Sequence, residues 1–325
     1  MTAITKIAGK VTLAIAAAAT GALFHPAVAS AATPSLPSLV AYVRGGDVYV
    51  SRGATEARLT TDGGYSRPRW SPNGRMIAFL KGGQLWTMNA DGTAKRRLTT
   101  RAASGPSWSP DSASIAFASR SCTGGPGVYR IPATATDATP EVVFPAGCRG
   151  EDLPAESATS TTTTGDLSAR LRTDDAVAWS PDGTRIAFRG GECESIYDDC
   201  LSVGTIATGE EQTVAAYGGG SLQNSGFAVV PNWRTDGAKL AWTAQEQGET
   251  AADNEPVHVV EYDTITRAKR TVGAALDREM AYVDGLRGVA TGQNKGSSWV
   301  MVVNLATGVR TPFHAGSQPS VQPVA

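Results

Sequence analysis

Acidic side chains crowd into three stretches of this sequence, and they are the residues whose number and spacing could do chemistry. The members are Glu192, Glu194, Asp198 and Asp199 in one stretch, Glu246, Glu249, Asp253 and Glu255 in another, and Glu151 and Asp152 in a third. Clustered carboxylates attract a basic or cationic partner. They are equally typical of loops that simply face water.

Two of these carboxylates also suit catalysis. Glu194 and Asp199 are the candidate acid and base of a hydrolase or lyase acting on an extracellular polysaccharide or peptide. That hypothesis requires two carboxyl groups converging within about 5–10 Å in a deep pocket. A calcium loop would need the D-x-D-x-D-G spacing, which is missing. We therefore predict neither a metal nor any other cofactor.

Further catalytic signatures are scarce. The sequence has no G-x-S-x-G elbow and no H-E-x-x-H pair. Beyond residue 29 the only histidines are His258 and His314. His258 lies in an alternating, strand-like segment, so we expect a structural role for it. The sequence favours a non-catalytic binding protein, with the enzyme as the alternative and a purely structural envelope protein as a third hypothesis.

Four cysteines bear on the compartment: Cys122, Cys148, Cys193 and Cys200. An even number in an exported chain favours two disulfides. Three pairings are possible, and we favour Cys193–Cys200, which closes a short loop, together with Cys122–Cys148. A zinc site would need C-x-x-C or paired histidines, and neither occurs.

The first 29 residues have the pattern of a secretory signal peptide. Lys6 and Lys10 precede an apolar stretch, and Ala27-Val28-Ala29 is a small-x-small cleavage site. An uncleaved anchor is the rival interpretation. Removing this segment deletes two lysines and no acid, which moves the formal net charge from −1 to −3. We predict a monomeric, secreted or extracytoplasmic protein without a membrane span after cleavage. The charge argues against nucleic acid and leaves a protein or peptide as the expected partner.

The elements that would position these residues are revealed by a repeated hairpin. In Trp179-Ser180-Pro181-Asp182-Gly183, Pro181 and Asp182 suit the central turn positions, and Gly183 suits the positive φ that follows. An apolar Ile186-Ala187-Phe188 segment comes next. The same order recurs at three other places, each with seven positions from the tryptophan to the Ile or Leu: Trp70 to Ile77, Trp108 to Ile115 and Trp233 to Leu240.

Weaker copies extend the count to six. Val40-Ala41-Tyr42 precedes the clear copies, and Val289-Ala290-Thr291 follows them after a degenerate turn at Tyr282-Val283-Asp284-Gly285. Each copy continues into two more strand-like segments, which makes units of four strands that we designate a, b, c and d. Four-stranded units repeated along a glycine-rich chain with only 18% charged residues predict an all-β, six-bladed β-propeller.

The first unit has no strand a of its own. The C-terminal segment Pro319-Ser320-Val321-Gln322-Pro323 resembles Pro106-Ser107-Trp108-Ser109-Pro110, so we predict that it supplies this strand and closes the ring. A disordered tail is the alternative. The predicted organisation is a signal at 1–29, a short linker at 30–38 and one propeller domain at 39–325.

These repeats resemble those of the TolB-type propellers, a WD-like family of exported and periplasmic proteins. The segment from Trp179 to Phe188 is close to that family's repeat. The resemblance covers most of residues 39–315 and implies the propeller fold, while it says little about function. TolB carries an additional N-terminal α/β domain. Here the repeats begin soon after the predicted signal, so we expect no such domain.

Strand direction sorts the connections between two faces of the ring. The a–b and c–d turns share one face, the turn face, and the b–c and d–a connections share the other, the loop face. The long segments and their carboxylates belong to the loop face, which we predict to be the partner-binding face. The repeated turn aspartates and tryptophans are expected to serve turn geometry and packing between blades.

Overall fold

Six four-stranded antiparallel sheets form the ring of a β-propeller, which confirms the predicted fold class and blade count. The structure is a computed structural model that describes residues 32–151, 175–190, 199–217, 225–248 and 250–323. The described residues from Thr33 onward cluster as one compact unit. The predicted signal at 1–29 lies outside the described residues, and none of the helices among those residues is long and apolar enough to cross a membrane.

Strand bounds follow the predicted order a–b–c–d in every blade. Blade 1 consists of β24 (Ser317–Val321), β1 (Val40–Arg44), β2 (Asp47–Ser51) and β3 (Glu56–Arg58). Blade 2 consists of β4 (Tyr65–Trp70), β5 (Met76–Lys81), β6 (Gln84–Asn89) and β7 (Arg96–Ala102). Blade 3 consists of β8 (Ser104–Trp108), β9 (Ser114–Arg120), β10 (Pro126–Pro132) and β11 (Glu141–Phe144).

The second half of the ring repeats this order. Blade 4 consists of β12 (Ala178–Trp179), β13 (Arg185–Arg189), β14 (Asp199–Thr205) and β15 (Glu211–Tyr217). Blade 5 consists of β16 (Ser225–Trp233), β17 (Lys239–Gln247), β18 (Glu255–Asp263) and β19 (Lys269–Val272). Blade 6 consists of β20 (Arg278–Tyr282), β21 (Arg287–Asn294), β22 (Ser297–Asn304) and β23 (Arg310–Ala315).

The repeated hairpin folds as its residues require. Gly183 adopts a φ of 76°, a left-handed conformation that glycine takes without steric cost. The Asp182 carboxylate accepts hydrogen bonds from the Ser180 hydroxyl at 2.5 Å and from the Thr184 amide at 3.1 Å. Trp179 then pairs with Ile186 across the hairpin. The aspartate is thereby fully used in the turn, as the sequence predicts.

The alternation within Ile-Ala-Phe explains how the blades pack. In blade 2, Ile77 and Phe79 pack against blade 1, while Ala78 faces blade 3. Large side chains therefore face the preceding blade, and the small alanine leaves room for the tryptophan and large residues of the next one. Six such apolar clusters, one in each interface between neighbouring blades, make up most of the core.

The C-terminal strand closes the ring, which confirms the prediction made from its resemblance to strand a. In β24, Val321 pairs with Val40 and Ser320 with Ala41. The N-terminal and C-terminal segments of the domain therefore share one sheet, and β24 covers the inner edge of β1.

Two details of the prediction are wrong. In blade 6, Tyr282 pairs with Gly288 instead of Val289 because the turn is one residue shorter, so Gly288-Val289-Ala290 replaces the predicted triplet. In blade 5 the expected b–c loop from Thr243 to Pro256 shrinks to residues 248–254, because β17 and β18 pair as far as Glu246 and Glu255.

Candidate functional site: a funnel at the centre of the ring

The innermost strands carry a bulge that shapes the centre of the ring. The ladders between strands a and b of blades 1, 2, 3, 5 and 6 shift register just before the tryptophan position. Bulges re-aim a side chain and bend a strand. Three residues before the tryptophan position, the six blades carry what we name the axial ring, in blade order: Gln318, Arg67, Gly105, Ala176, Val230 and Glu279.

Half of the axial ring is polar. Arg67 Nη1 lies 2.6 Å from Glu279 Oε1, and both side chains are at least nine-tenths buried. The Gln318 side-chain oxygen accepts from the Arg67 amide at 2.8 Å, and Thr291 donates to Glu279 at 2.8 Å. Arg67 and Glu279 belong to blades 2 and 6, which both flank blade 1, so their contact reaches past the innermost strand of blade 1.

The other half of the axial ring is apolar. Ala176 and Val230 form one buried cluster with Val229. Gly105 forms a parallel bridge with Ala176, and the Val177 amide donates to the Gly105 carbonyl at 3.0 Å. The two halves together close the centre of the ring, because five of their six members are buried.

Above the axial ring, on the turn face, lies a cavity of about 650 Å³ that we name the funnel. Its wall contains the residue before each tryptophan position, a set we name the funnel ring. Its members in blade order are Ser320, Arg69, Ser107, Ala178, Asn232 and Ala281. The funnel volume falls within the range of pockets that bind ligands in proteins.

Aromatic side chains form the upper wall of the funnel: Trp70, Trp108, Trp179, Trp233 and Tyr282. The Trp108 and Trp233 indoles donate to the carbonyls of Arg69 and Ala178 in the preceding blades, at 2.9 and 3.0 Å. Among the described residues, the buried N–H of Trp70 has no acceptor. The tryptophans thus pack between blades, as the sequence predicts, while their edges face the cavity.

Among the described residues of the funnel wall, two side chains carry charge. Asp284 is bound to Arg287 of its own turn, at 2.6 Å. Arg69 donates to the Pro68 carbonyl at 2.9 Å. Burial and the nearby Arg67 guanidinium lower the pKa of Arg69 to about 10, so it stays charged at neutral pH. Within the described part of the chain, Arg69 has no carboxylate at ion-pair distance.

The predicted acidic residues are only partly described. Glu192, Glu194, Asp198, Glu249 and Asp152 lie outside the described residues, as do the side chains of Asp199 and Asp253. Glu246 and Glu255 are cross-strand partners, and they lie near Tyr217. Burial, together with these two carboxylates, raises the pKa of Tyr217 to about 12. Glu151 belongs to blade 3 and is exposed. The acidic partner-binding face stays a prediction.

One predicted disulfide is confirmed. Cys122 follows β9, and Cys148 ends a short 3-10 helix after β11, with Cα atoms 5.6 Å apart. Cys200 is also disulfide-bonded, and its predicted partner Cys193 lies outside the described residues. A second cavity, of about 520 Å³, adjoins the Cys122 loop and is lined by Pro126 and Phe188 among others.

A serine, a histidine and a carboxylate line up in the order of a hydrolase triad. The Ser51 hydroxyl lies 3.0 Å from His314 Nε2, and His314 Nδ1 lies 3.3 Å from Glu56. Ser51 is buried, however, and its hydroxyl donates to the carbonyls of Gly53 and Thr55, both at 2.8 Å. His314 Nε2 also lies 2.8 Å from the Gly53 carbonyl, so the cluster's contacts are to the backbone of blade 1, and it fastens blade 1 to blade 6.

The other histidine contacts the backbone of its own strand. His258 Nδ1 lies 2.8 Å from the Pro256 carbonyl, in agreement with the structural role expected for it. In the described ranges, no three His, Cys, Asp or Glu side chains gather closely enough to hold a metal ion.

The sequence analysis missed the funnel because it used the features that the repeats share, which count the blades, and not the positions at which the repeats differ. The positions just before the tryptophan differ among the six copies, and alignment of the repeats would have shown a single charged residue, Arg69, in the funnel ring. Its side chain and those of its neighbours are what distinguish one sector of the cavity from the rest.

Solved structures share this architecture. TolB from Acinetobacter baumannii superposes with a TM-score of 0.62 at 14% identity, over 90% of this chain and 68% of that one. For the putative TolB from Agrobacterium tumefaciens the TM-score is 0.58 at 14% identity, over 90% of this chain and 100% of that one. A chain of the nidogen/laminin complex gives 0.52 at 7% identity, over 87% and 98%.

These likenesses establish the fold alone, a TolB-type six-bladed propeller, because one fold hosts many functions. No family model matches the sequence. A search of curated proteins found no match either.

Proposed function

We propose that this chain is an extracytoplasmic, non-catalytic scaffold that binds a protein partner by taking an extended segment of it into the funnel. The observation that carries the proposal is the funnel itself, a cavity of about 650 Å³ walled by all six blades. Aromatic and small side chains with few polar groups are the usual lining of a binding cavity. The Cys122–Cys148 disulfide favours a compartment outside the cytoplasm.

Exposed apolar side chains around the turn face support a protein as the ligand. Ile265 is 81% exposed, Leu286 70% and Val309 63%. All three lie in a–b or c–d turns on the turn face of blades 5 and 6, and Leu286 directly follows Asp284 and Gly285 of the funnel wall. A partner whose segment enters the funnel would cover them, whereas a small ligand would leave them in water.

The test uses heptapeptides selected on a phage library against the protein lacking residues 1–29. The tightest peptide is then measured by fluorescence anisotropy against two variants. Asn232→Trp fills the funnel ring with an indole, and we expect it to weaken binding by about tenfold or more. Thr271→Trp adds the same indole to the exposed outer strand β19 and is expected to leave the affinity unchanged.

A third variant separates the turn face from the loop face. It carries amides in place of the ten carboxylates predicted from the sequence, at positions 151, 152, 192, 194, 198, 199, 246, 249, 253 and 255. Binding that survives Asn232→Trp but fails in this variant would overturn the funnel proposal and support the acidic loop face. Loss of peptide binding in Asn232→Trp, with binding retained in the amide variant, supports the funnel proposal.

A further inference from the structure

We propose that the funnel selects a partner segment carrying an aspartate or glutamate side chain, whose carboxylate is bound by Arg69 between the hydroxyls of Ser320 and Ser107. This inference rests on the proposed function of the funnel and names the chemistry of the segment that enters it. Three features of the funnel ring carry the argument: an uncompensated cation, two available hydroxyl donors beside it, and the neutral character of the opposite wall.

Arg69 is a half-buried guanidinium without a counter-charge. The nearest other charges are Arg67, which repels it, and Glu279, which is already occupied by Arg67 and Thr291. Of its several N–H donors, only one is used within the described residues, by the Pro68 carbonyl. A cation held away from bulk water beside a like charge is stabilised most by a carboxylate that completes its hydrogen bonds.

The hydroxyls of Ser320 and Ser107 flank Arg69 from the two neighbouring blades. The Ser320 oxygen accepts from the Trp70 amide at 3.1 Å, and the Ser107 oxygen accepts from the Trp179 amide at 2.9 Å. Neither hydroxyl donates its own proton to a group in the described part of the chain. Both oxygens are fixed by these bonds, so each can turn its proton toward the funnel.

The opposite wall offers no comparable attraction. Ala178 and Ala281 present only methyl groups, and Asn232 is neutral. Asp284, the one acid among the described residues of the funnel wall, is paired with Arg287. A carboxylate entering the funnel is therefore drawn to the sector formed by blades 1, 2 and 3.

The position of Arg69 is fixed by its neighbour. The Trp108 indole donates to the Arg69 carbonyl at 2.9 Å, so the backbone that carries the guanidinium is pinned to blade 3. A prearranged donor set loses little entropy when its ligand binds, which raises its affinity and selectivity. The aromatic wall nearby suits apolar side chains adjacent to the acid in the partner segment.

The probe is the tightest heptapeptide from the funnel selection, compared with the same peptide carrying Asn or Gln in place of every Asp or Glu. We expect the acidic form to bind about tenfold to a hundredfold more tightly. In Arg69→Gln this preference should disappear, while the affinity for the amide form stays as in the unmodified protein. Arg69→Lys keeps the charge without the planar fork and should retain part of the preference.

Arg75→Gln is the matched control, because Arg75 is an exposed guanidinium in the turn of the same blade. It should leave the preference intact. Thermal unfolding checks that Arg69→Gln folds, which we expect because the change removes a repulsion with Arg67.

The outcomes separate the inference from the proposed function. Peptides that bind the funnel but contain no acid, or that bind equally in both forms, overturn the role of Arg69 and leave the funnel proposal standing. A preference that persists in Arg69→Gln does the same. Peptides whose affinity is unchanged in Asn232→Trp overturn both the role of Arg69 and the funnel proposal.

Discussion

The two halves of the axial ring occupy equivalent positions in equivalent blades, yet different side-chain interactions hold them at the centre of the propeller. Blades 6, 1 and 2 contribute Glu279, Gln318 and Arg67, which are joined by charge and hydrogen bonds. Blades 3, 4 and 5 contribute Gly105, Ala176 and Val230, which are joined by a backbone bridge between Gly105 and Ala176 and by apolar packing of Ala176 with Val230. The repeat therefore sets where the chain meets the axis, and individual side chains set what holds it there.

The polar half coincides with the seam where the C-terminal strand joins the ring. The Gln318 side-chain oxygen, in β24, accepts a hydrogen bond from the Arg67 backbone amide of blade 2. The Gln318 backbone amide donates to the Thr291 hydroxyl of blade 6 at 2.8 Å. A strand supplied from the far end of the chain must find one register, and a buried polar network penalises the wrong ones because each would leave a charge unpaired. The apolar half lies within continuous chain and has no such task.

The largest loss of stability should come from removing one partner of the buried Arg67–Glu279 ion pair and leaving the other in place. Arg67→Met leaves the Glu279 carboxylate buried without its cation, which costs about 3–5 kcal/mol of unfolding free energy. Urea unfolding followed by tryptophan fluorescence measures it. The double variant Arg67→Met with Glu279→Met should recover most of the loss, since a buried ion pair and a well-packed apolar pair differ little in net stability.

The exposed pair of Arg130 and Glu141 provides the control for that measurement. It is also a guanidinium–carboxylate pair, with Arg130 Nη2 2.7 Å from Glu141 Oε2, but its side chains are 36% and 67% exposed. Arg130→Met should cost less than about 1 kcal/mol. Equal losses at Arg67 and Arg130 would show that burial of the axial pair contributes nothing.

The apolar half should be most sensitive to added volume. A Cβ at Gly105 would lie 2.1 Å from the Ala176 Cβ and 2.6 Å from the Asp175 carbonyl oxygen. Both contacts require the backbone of blade 4 to move, so Gly105→Ala should lose about 3 kcal/mol, the upper end of the usual cost of overpacking.

Gly147→Ala is the comparison for this substitution, because a Cβ there meets no atom within 4 Å. It should change the urea midpoint little. If Gly105→Ala is as stable as Gly147→Ala, the two halves do not differ in packing as we describe.

The contrast between the halves also explains what could be read from the sequence. The spacing from tryptophan to Ile-Ala-Phe reports packing between blades, which every copy must satisfy, so blade number and ring closure were predictable. The shorter turn of blade 6 escaped because its triplet retains apolar residues in either alignment. Only the register, in which Tyr282 pairs with Gly288, reveals the shift.

The centre of the ring was not predictable for a physical reason. Arg67, Val230, Glu279 and Gln318 adopt positive φ values between 52° and 59°, a region where glycine is expected. Arg67 and Glu279 are also charged residues of types that are rarely buried unless paired. Neither the bulge nor the pairing leaves a local pattern, because the partner is separated by 212 positions in the chain.

The smallest predicted effect is a pH-dependent change in stability caused by Glu56, which lies where blade 1 meets blade 6. Glu56 of blade 1 accepts hydrogen bonds from Tyr42 and Arg44 and lies 3.3 Å from His314 of blade 6. Burial alone would raise its pKa. The Tyr42 and Arg44 hydrogen bonds and the His314 charge outweigh burial and hold the pKa of Glu56 below its usual range.

A lowered carboxyl pKa stabilises the fold above the unfolded value of about 4.3, and this stabilisation is lost as the pH falls through the folded value. Glu56→Gln should therefore cost about 1–2 kcal/mol near neutral pH, and its difference from the unmodified protein should shrink in acid. Urea midpoints of both proteins at neutral pH and at about pH 3 measure this. Glu141→Gln, at an exposed carboxylate, should show a small difference at both values. A Glu56→Gln difference that stays constant into acid would mean that the charge of Glu56 does not stabilise the seam.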